Sequence, residues 1–248
     1  MLRYALRDSI RHLRNVIDHA RFGGRCELDG EVFDLPARVP REIRRALRSG
    51  DYEAPERALI AAHLPSDLPV IELGGSIGVV GRFIGRKIDS GVRHLVVEAN
   101  PALPALCRAV ARGASDRPIE VVSAAVDYSG RATIAFKRSS GLLDSRVVPS
   151  GRPGAIEVPV VRLAELRERL GSPAAWSLVA DIEGAEYDLF SQDVAEFTGC
   201  RALILEMHPA AFAERGATLD DFLALVAARG FRLVEQVGMV AAFARDAD

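Results

Sequence analysis

Asp181, Glu183 and Glu186 stand together in the run Asp-Ile-Glu-Gly-Ala-Glu, and further along Glu206-Met207-His208 places a carboxylate two residues before an imidazole. Each group follows an apolar stretch, Ser177–Asp181 and Arg201–Glu206, that reads as a buried strand. In open α/β sheets ligands bind beyond the carboxyl ends of strands, which is where these side chains would project. A carboxylate and an imidazole there can relieve a reacting hydroxyl of its proton, and histidine has the pKa nearer neutrality. Asp181 and His208 are therefore the candidates for proton transfer. The alternative is a divalent cation held by Asp181, Glu183, Glu206 and His208, with oxygen ligands favouring magnesium. We prefer the metal-free reading. Glu183 and Glu186 also have an ordinary use, because acids in a first helical turn complement the helix dipole. Asp181, at a strand end, has no such use.

A second chemical stretch lies earlier. Val70–Gly78 reads Val-Ile-Glu-Leu-Gly-Gly-Ser-Ile-Gly and leads into an amphipathic segment carrying Val79, Val80, Phe83, Ile84 and Ile88. That order predicts strand, tight turn and helix, the first half of a βαβ unit. Glycines at Gly74, Gly75 and Gly78, with the small Ser76, would let backbone approach a ligand closely. The Gly-x-Gly-x-x-Gly pattern of dinucleotide sites fails here, because Ser76 and Val79, or Ile77 and Val80, occupy the required glycine positions. Glu72 would also repel a phosphate, whereas it suits the positive charge of S-adenosylmethionine, which carries no phosphate. A strand-end acid that simply meets solvent is the plain alternative.

The next predicted strand, His94–Glu98, ends in an acid about 20 residues past the turn, where Rossmann-like folds bind ribose hydroxyls. Ala99 and Asn100 follow it, and Asn100-Pro101 is expected to open a helix. After a third strand, Ile119–Ser123, the small residues Ala124 and Ala125 could admit a flat purine ring with Ser123 at its edge. Ribose is common to NAD and S-adenosylmethionine, so Glu98 alone does not separate them.

The elements that must position these groups follow from periodicity. Residues 2–22 place Leu2, Leu6, Ile10, Leu13, Ile17 and Ala20 on one helical face and Arg3, Arg7, Arg11, Arg14 and Arg21 elsewhere. Packing of that apolar stripe onto the protein is the preferred use; a homodimer contact and an interfacial membrane helix are the others. Cys26–Val39 alternates around Asp29-Gly30, a hairpin signal, and a short basic helix follows over Arg41–Arg48. The segment 51–64 is expected over the mouth of the glycine turn, with Tyr52 or Glu53 closing on a cofactor. Ala132–Phe136 and Ile156–Val161 predict an inserted antiparallel pair whose loop, Ser139–Arg146, would shape an acceptor site. Phe231–Gln236 and Met239–Phe243 predict a closing hairpin.

Composition sets outer limits. The 248 residues carry a net charge of −2, which gives no overall attraction to nucleic acid or to an anionic membrane. No apolar run reaches the roughly 18 residues of a membrane span. Three widely separated cysteines suggest neither a disulfide framework nor a close zinc pair, and point to a reducing, cytoplasmic setting.

The expected architecture is α/β: a Rossmann-like, seven-stranded, mostly parallel sheet with a terminal antiparallel hairpin, which fits a class I methyltransferase better than a dehydrogenase. An N-terminal helix and hairpin extension (1–50) would precede the main domain (51–248). Tyr52-Glu53, Val70–Gly78, Val97–Pro101, Ala180–Glu186 and Leu205–His208 together resemble the FkbM family of S-adenosylmethionine-dependent methyltransferases. The resemblance covers roughly residues 51–245; Glu72 stands where the family's pattern has Asp, and Gly75-Ser76 where it has Ala-Asn. It implies S-adenosylmethionine as cofactor and a hydroxyl on a sugar, glycan or other small metabolite as acceptor. An NAD(P)-dependent oxidoreductase and a non-catalytic binding module are the alternatives.

Overall fold

The computed structural model describes residues 13–113, 118–137, 145–192 and 195–245. They fall into two compact units, divided between Ala54 and Pro55. In the first unit, helix α1 covers residues 13–22, and the rest of the predicted helix (2–12) lies outside the described residues. Strands β1 (Arg25–Leu28) and β2 (Glu31–Asp34) form the expected hairpin. Its two central residues, Asp29 and Gly30, both have positive φ (49° and 79°), as a tight type I′ turn demands. Helix α2 (Arg41–Ser49) ends on Gly50 in the left-handed conformation (φ 88°). Cys26, Leu28, Phe33, Leu35, Ile43 and Leu47 are buried.

Helix α1 corrects the expectation of apolar packing. Its buried residues are Asn15 and Asp18 (6% and 5% exposed), whereas Leu13 and Ile17 are 59% and 55% exposed. The cause is Arg44 on α2, which is fully buried. Its guanidinium donates to Asp18 Oδ2 (3.1 Å), Val39 O (2.5 Å) and Asn15 O (2.8 Å). A buried cation without partners costs several kcal/mol, so the helix turns its polar side inward to supply them.

The second unit is a βαβ sheet structure. In chain order it contains α3 (Ala54–His63), β3 (Val70–Leu73), α4 (Val79–Lys87), β4 (His94–Glu98), α5 (Pro104–Arg112) and β5 (Ile119–Ser123). Next come β6 (Ala125–Val126), β7 (Thr133–Lys137), β8 (Arg146–Val147), β9 (Ala155–Val161) and α6 (Leu163–Arg169). The chain continues through β10 (Trp176–Ala180), α7 (Glu186–Gln192), β11 (Cys200–Glu206), α8 (Pro209–Ala213), α9 (Leu219–Ala228), β12 (Arg232–Val237) and β13 (Val240–Ala244).

Seven strands pair in the order β12-β13-β11-β10-β3-β4-β5. The five from β11 to β5 run parallel, and β13 inserts antiparallel between β11 and β12, giving the expected sheet and closing hairpin. Strands β3, β4 and β10 are buried along their whole length, as central parallel strands covered on both faces must be. Ile71, Leu73, Leu178, Leu203 and Leu205 face one core with Leu166, Leu189 and Phe222 from α6, α7 and α9. Val70, Val179 and Ile204 face the other with Leu59, Ile60 and Ile84 from α3 and α4. The chain thus brings the ends of β3, β4, β10 and β11 to one edge.

The inserted pair is present as β7 and β9, antiparallel, and is extended by β8 and by β6, which runs parallel to β9. Residues 138–144, most of the loop expected to shape an acceptor site, lie outside the described residues. Helix α5 starts at Pro104 rather than at Pro101, because a turn from Asn100 O to Leu103 N intervenes (2.9 Å).

Candidate active site

The glycine turn is fastened to its neighbours on both sides. Gly74 and Gly75 N–H both donate to Val97 O of β4 (2.9 and 3.0 Å), and Asp181 N–H donates to Leu73 O (3.0 Å). Gly74 has φ +92°, and a Cβ there would lie 1.8 Å from the carbonyl oxygen of Asp181. At Gly78 (φ +90°) a Cβ would lie 2.3 Å from Cys107 O on α5. A Cβ on Gly75 would strike Val96 (2.3 Å). Ligand access was the expected reason for these glycines; the structure supplies a second, since their open sides are filled by protein.

Glu98 braces the same turn. Its Oε2 accepts from Ser76 N–H at 2.6 Å and its Oε1 from Asn100 N–H at 2.5 Å. Ser76 adopts a left-handed φ of 45°, which points its amide at the carboxylate. Burial raises the Glu98 pKa, opposed by the amides of Asn100 and Ser76. An ionised carboxylate has about four lone-pair directions, so two remain for hydroxyl donors. Ser123 is exposed and in register beside Glu98. Asn100 is buried, and its Oδ1 accepts from Ala102 N–H (3.2 Å).

Three predicted cofactor contacts are placed differently. Glu72 is 1% exposed and meets His94, with Oε2 2.8 Å from Nε2. Register puts His94 opposite Val70 and Glu72 opposite Val96, so the two polar side chains are diagonal neighbours on one face of the sheet. Gly81 of α4 leaves the space that the carboxylate needs; a Cβ there would be 2.9 Å from Glu72 Oε2. The expected direct contact with a cofactor cation is thus replaced by a buried pair beneath the turn. Ala124 joins the main core, and Ala125 packs with Ala99, Ile134 and Phe136. Their methyls complete hydrophobic clusters instead of opening a slot.

The second cluster assembles as expected. Asp181 Oδ1 lies 3.5 Å and Glu183 Oε2 3.8 Å from His208 Nε2, while Glu186 Oε1 lies 3.5 Å from Nδ1. Glu186 is more than the helix-dipole acid its position suggested: it is fully buried and its Oε1 accepts from Ile182 N–H (2.7 Å). Two left-handed residues, Glu183 (φ 55°) and Gly184 (φ 96°), form the loop, and Gly184 packs so closely on Ala211 that a Cβ would fall 2.2 Å from it. Burial lowers the pKa of His208, but Glu186, then Asp181 and Glu206, overcome this and raise it to about 9. Ligand atoms of Asp181, Glu206 and His208 all come within 4.8 Å of one another. Glu53, the remaining candidate, lies next to Ala54 at the boundary of the first unit and is left-handed (φ 46°).

His94 is the residue that sequence reasoning missed. Its signal was a polar residue opening the otherwise apolar run His-Leu-Val-Val, one strand away from Glu72. Helix α8, which supports Gly184, was also unanticipated; it is too short for periodicity to show.

No curated protein matches the chain. Among solved structures, the ribosomal protein L11 methylase from Lactobacillus delbrueckii subsp. bulgaricus is 11% identical at a TM-score of 0.45, covering 79% of this chain and 78% of that one. An O-methyltransferase from Bacillus cereus in complex with SAH is 14% identical at a TM-score of 0.42, with 77% and 79% covered. The family model described as the methyltransferase FkbM domain matches residues 73–233, well over half of the chain, and spans both the glycine turn and the Asp181–His208 cluster. The chain belongs to the FkbM methyltransferase family.

Proposed function

We propose that the protein is an O-methyltransferase that uses S-adenosylmethionine and acts on a hydroxyl of a sugar, glycan or other small metabolite. The observation that carries the acceptor reading is the juxtaposition of Asp181 and His208 at the strand edge that also holds the glycine turn. The residues fit the cofactor in their donor chemistry: Glu98 keeps lone pairs for ribose hydroxyls, Ser123 flanks it, and the adjoining cluster is carboxylate-rich, which favours a cation over a phosphate. Bound there, S-adenosylmethionine would supply a methyl group already activated on a positive sulfur.

The protein's share of the work is alignment and proton removal. Holding an acceptor in attacking geometry can supply on the order of 7–11 kcal/mol of a barrier, and a positioned base contributes about 10²–10⁴-fold. Asp181, with its side chain 38% exposed beside His208 Nε2, is placed to orient that ring nitrogen towards an acceptor hydroxyl. His208 in its neutral form takes the proton, and Asp181 and Glu186 stabilise the imidazolium that results. A pKa of about 9 makes His208 a stronger base than free imidazole, but leaves it mostly protonated near neutral pH.

Membership of a methyltransferase family removes the nicotinamide oxidoreductase alternative. A metal-assisted variant is favoured by one observation, the convergence of ligand atoms from Asp181, Glu206 and His208. A divalent cation on these side chains would acidify the acceptor directly. Assaying transfer of labelled methyl to a panel of hydroxylated sugars and metabolites tests the proposal. Label appearing as an alkali-stable methyl ether supports it, and label found only on nitrogen or carbon overturns it. Cofactor binding without transfer to any acceptor would indicate a binding module. Activity abolished by a chelator and restored by magnesium or manganese would select the metal variant.

A further inference from the structure

Helix α1 is oriented against its own amphipathicity. It holds to the first unit through Asn15 and Asp18, which meet Arg41 N–H (3.0 Å), Arg44 (3.1 Å) and Arg48 (3.2 Å). The opposite side presents Leu13, Val16 and Ile17 at 59%, 40% and 55% exposure. At 3.6 residues per turn, positions 13, 16, 17 and 20 form one stripe, and Arg14 and Arg21, both exposed, lie along its flank. Phe22, also exposed, lies beneath the guanidinium groups of Arg21 and Arg48. The sequence repeats the pattern upstream with Leu2, Leu6 and Ile10 beside Arg3, Arg7 and Arg11. Residues 1–22 contain five arginines against Asp8 and Asp18, a local charge of +3 in a chain whose net charge is −2.

We propose that this face docks on an anionic lipid surface, with the aliphatic stripe entering the headgroup boundary and the arginines pairing with lipid phosphates. Charge decides between this occupant and a second copy of the chain. Two such faces packed together would bring Arg14 and Arg21 of each copy against the same arginines of the other. Asp18, which could have answered them, is buried and committed to Arg44 and Arg48. A phosphate-bearing surface supplies the missing charge and an apolar layer in one partner.

Vesicle flotation with the full chain tests this, using phosphatidylcholine alone and phosphatidylcholine mixed with phosphatidylglycerol. Binding is expected only to the anionic vesicles and should weaken at high salt. The double variant Leu13→Asp/Ile17→Asp should lose about tenfold in vesicle affinity, and Arg14→Glu should lose about fivefold or more. Both variants change exposed side chains, so an unchanged melting temperature separates lost docking from lost folding. No flotation of the wild type with anionic vesicles overturns the proposal, as does flotation that both variants retain in full. A dimer in solution that Leu13→Asp/Ile17→Asp dissolves would assign the face to a second copy instead.

Discussion

Replacing Glu186 with glutamine should move the pH dependence of catalysis without dismantling the site. Glu186 is fully buried, holds Ile182 N–H with the same oxygen that lies 3.5 Å from His208 Nδ1, and is the largest influence raising the imidazole pKa. Glutamine keeps an acceptor for Ile182 and removes only the charge. An opposite charge at this range shifts a pKa by about 1–3 units, so His208 should fall from about 9 to roughly 7.5. At pH 7.5 the neutral fraction would rise from about 3% to about half, roughly 15-fold. A weaker base gives back part of that gain, so a net increase in kcat of about threefold to tenfold is expected there, shrinking as pH rises and reversing to a modest loss near pH 10. The assay is a pH–rate profile of both proteins over roughly pH 6 to pH 10, with the His208 ring followed by NMR over the same range. A wild-type profile with no rise towards about pH 9, or a Glu186→Gln profile that superimposes on it while the ring titrates lower, refutes His208 as the base.

Other outcomes follow from the same geometry. The raised pKa of His208 means that its charge stabilises the fold fully below pH 6.5, and that this contribution is lost as pH rises through about 9; the melting temperature of His208→Gln should therefore decline less than that of wild type across this window. Gly74→Ala places a methyl 1.8 Å from Asp181 O in a left-handed backbone and should weaken S-adenosylhomocysteine binding by more than about tenfold in calorimetry. Glu98→Gln keeps one amide acceptor and loses the other; about tenfold weaker binding of the same ligand is expected, and unaltered affinity would remove Glu98 from the cofactor site. Asp18→Ala leaves the buried Arg44 cation uncompensated and should cost about 3–5 kcal/mol in denaturant unfolding.

Much of the sheet was legible because its strands are local patterns: Val70–Leu73, His94–Glu98 and Ile119–Ser123 are short, mainly apolar runs bounded by turns. The site cluster was legible for a related reason, since a residue closing such a run must emerge at the ligand-binding edge. What stayed hidden depends on partners distant in the chain. Periodicity shows that Leu13 and Ile17 share a side with each other, but the side turned inward was decided by Arg44, 26 residues beyond Asp18. Glu72 looked like a cofactor ligand because its partner His94 belongs to the neighbouring strand, 22 residues away. Glu186 had a sufficient local explanation as a helix-terminal acid, and only the packing of β11 beside β10 brings His208 to it. The glycines were correctly placed in a turn, but the groups that fill their open sides arrive from β4, from α5 and from Asp181 just past β10.

The contact between Gly74 and the Asp181 carbonyl has a consequence for how such an enzyme can diversify. With the glycine turn and the loop that begins at Asp181 wedged against each other at one backbone crossing, neither can drift without dragging its counterpart. On the proposed reading, variation in the acceptor would be met away from that crossing, at the β6–β9 insertion, whose strands form a separate sheet.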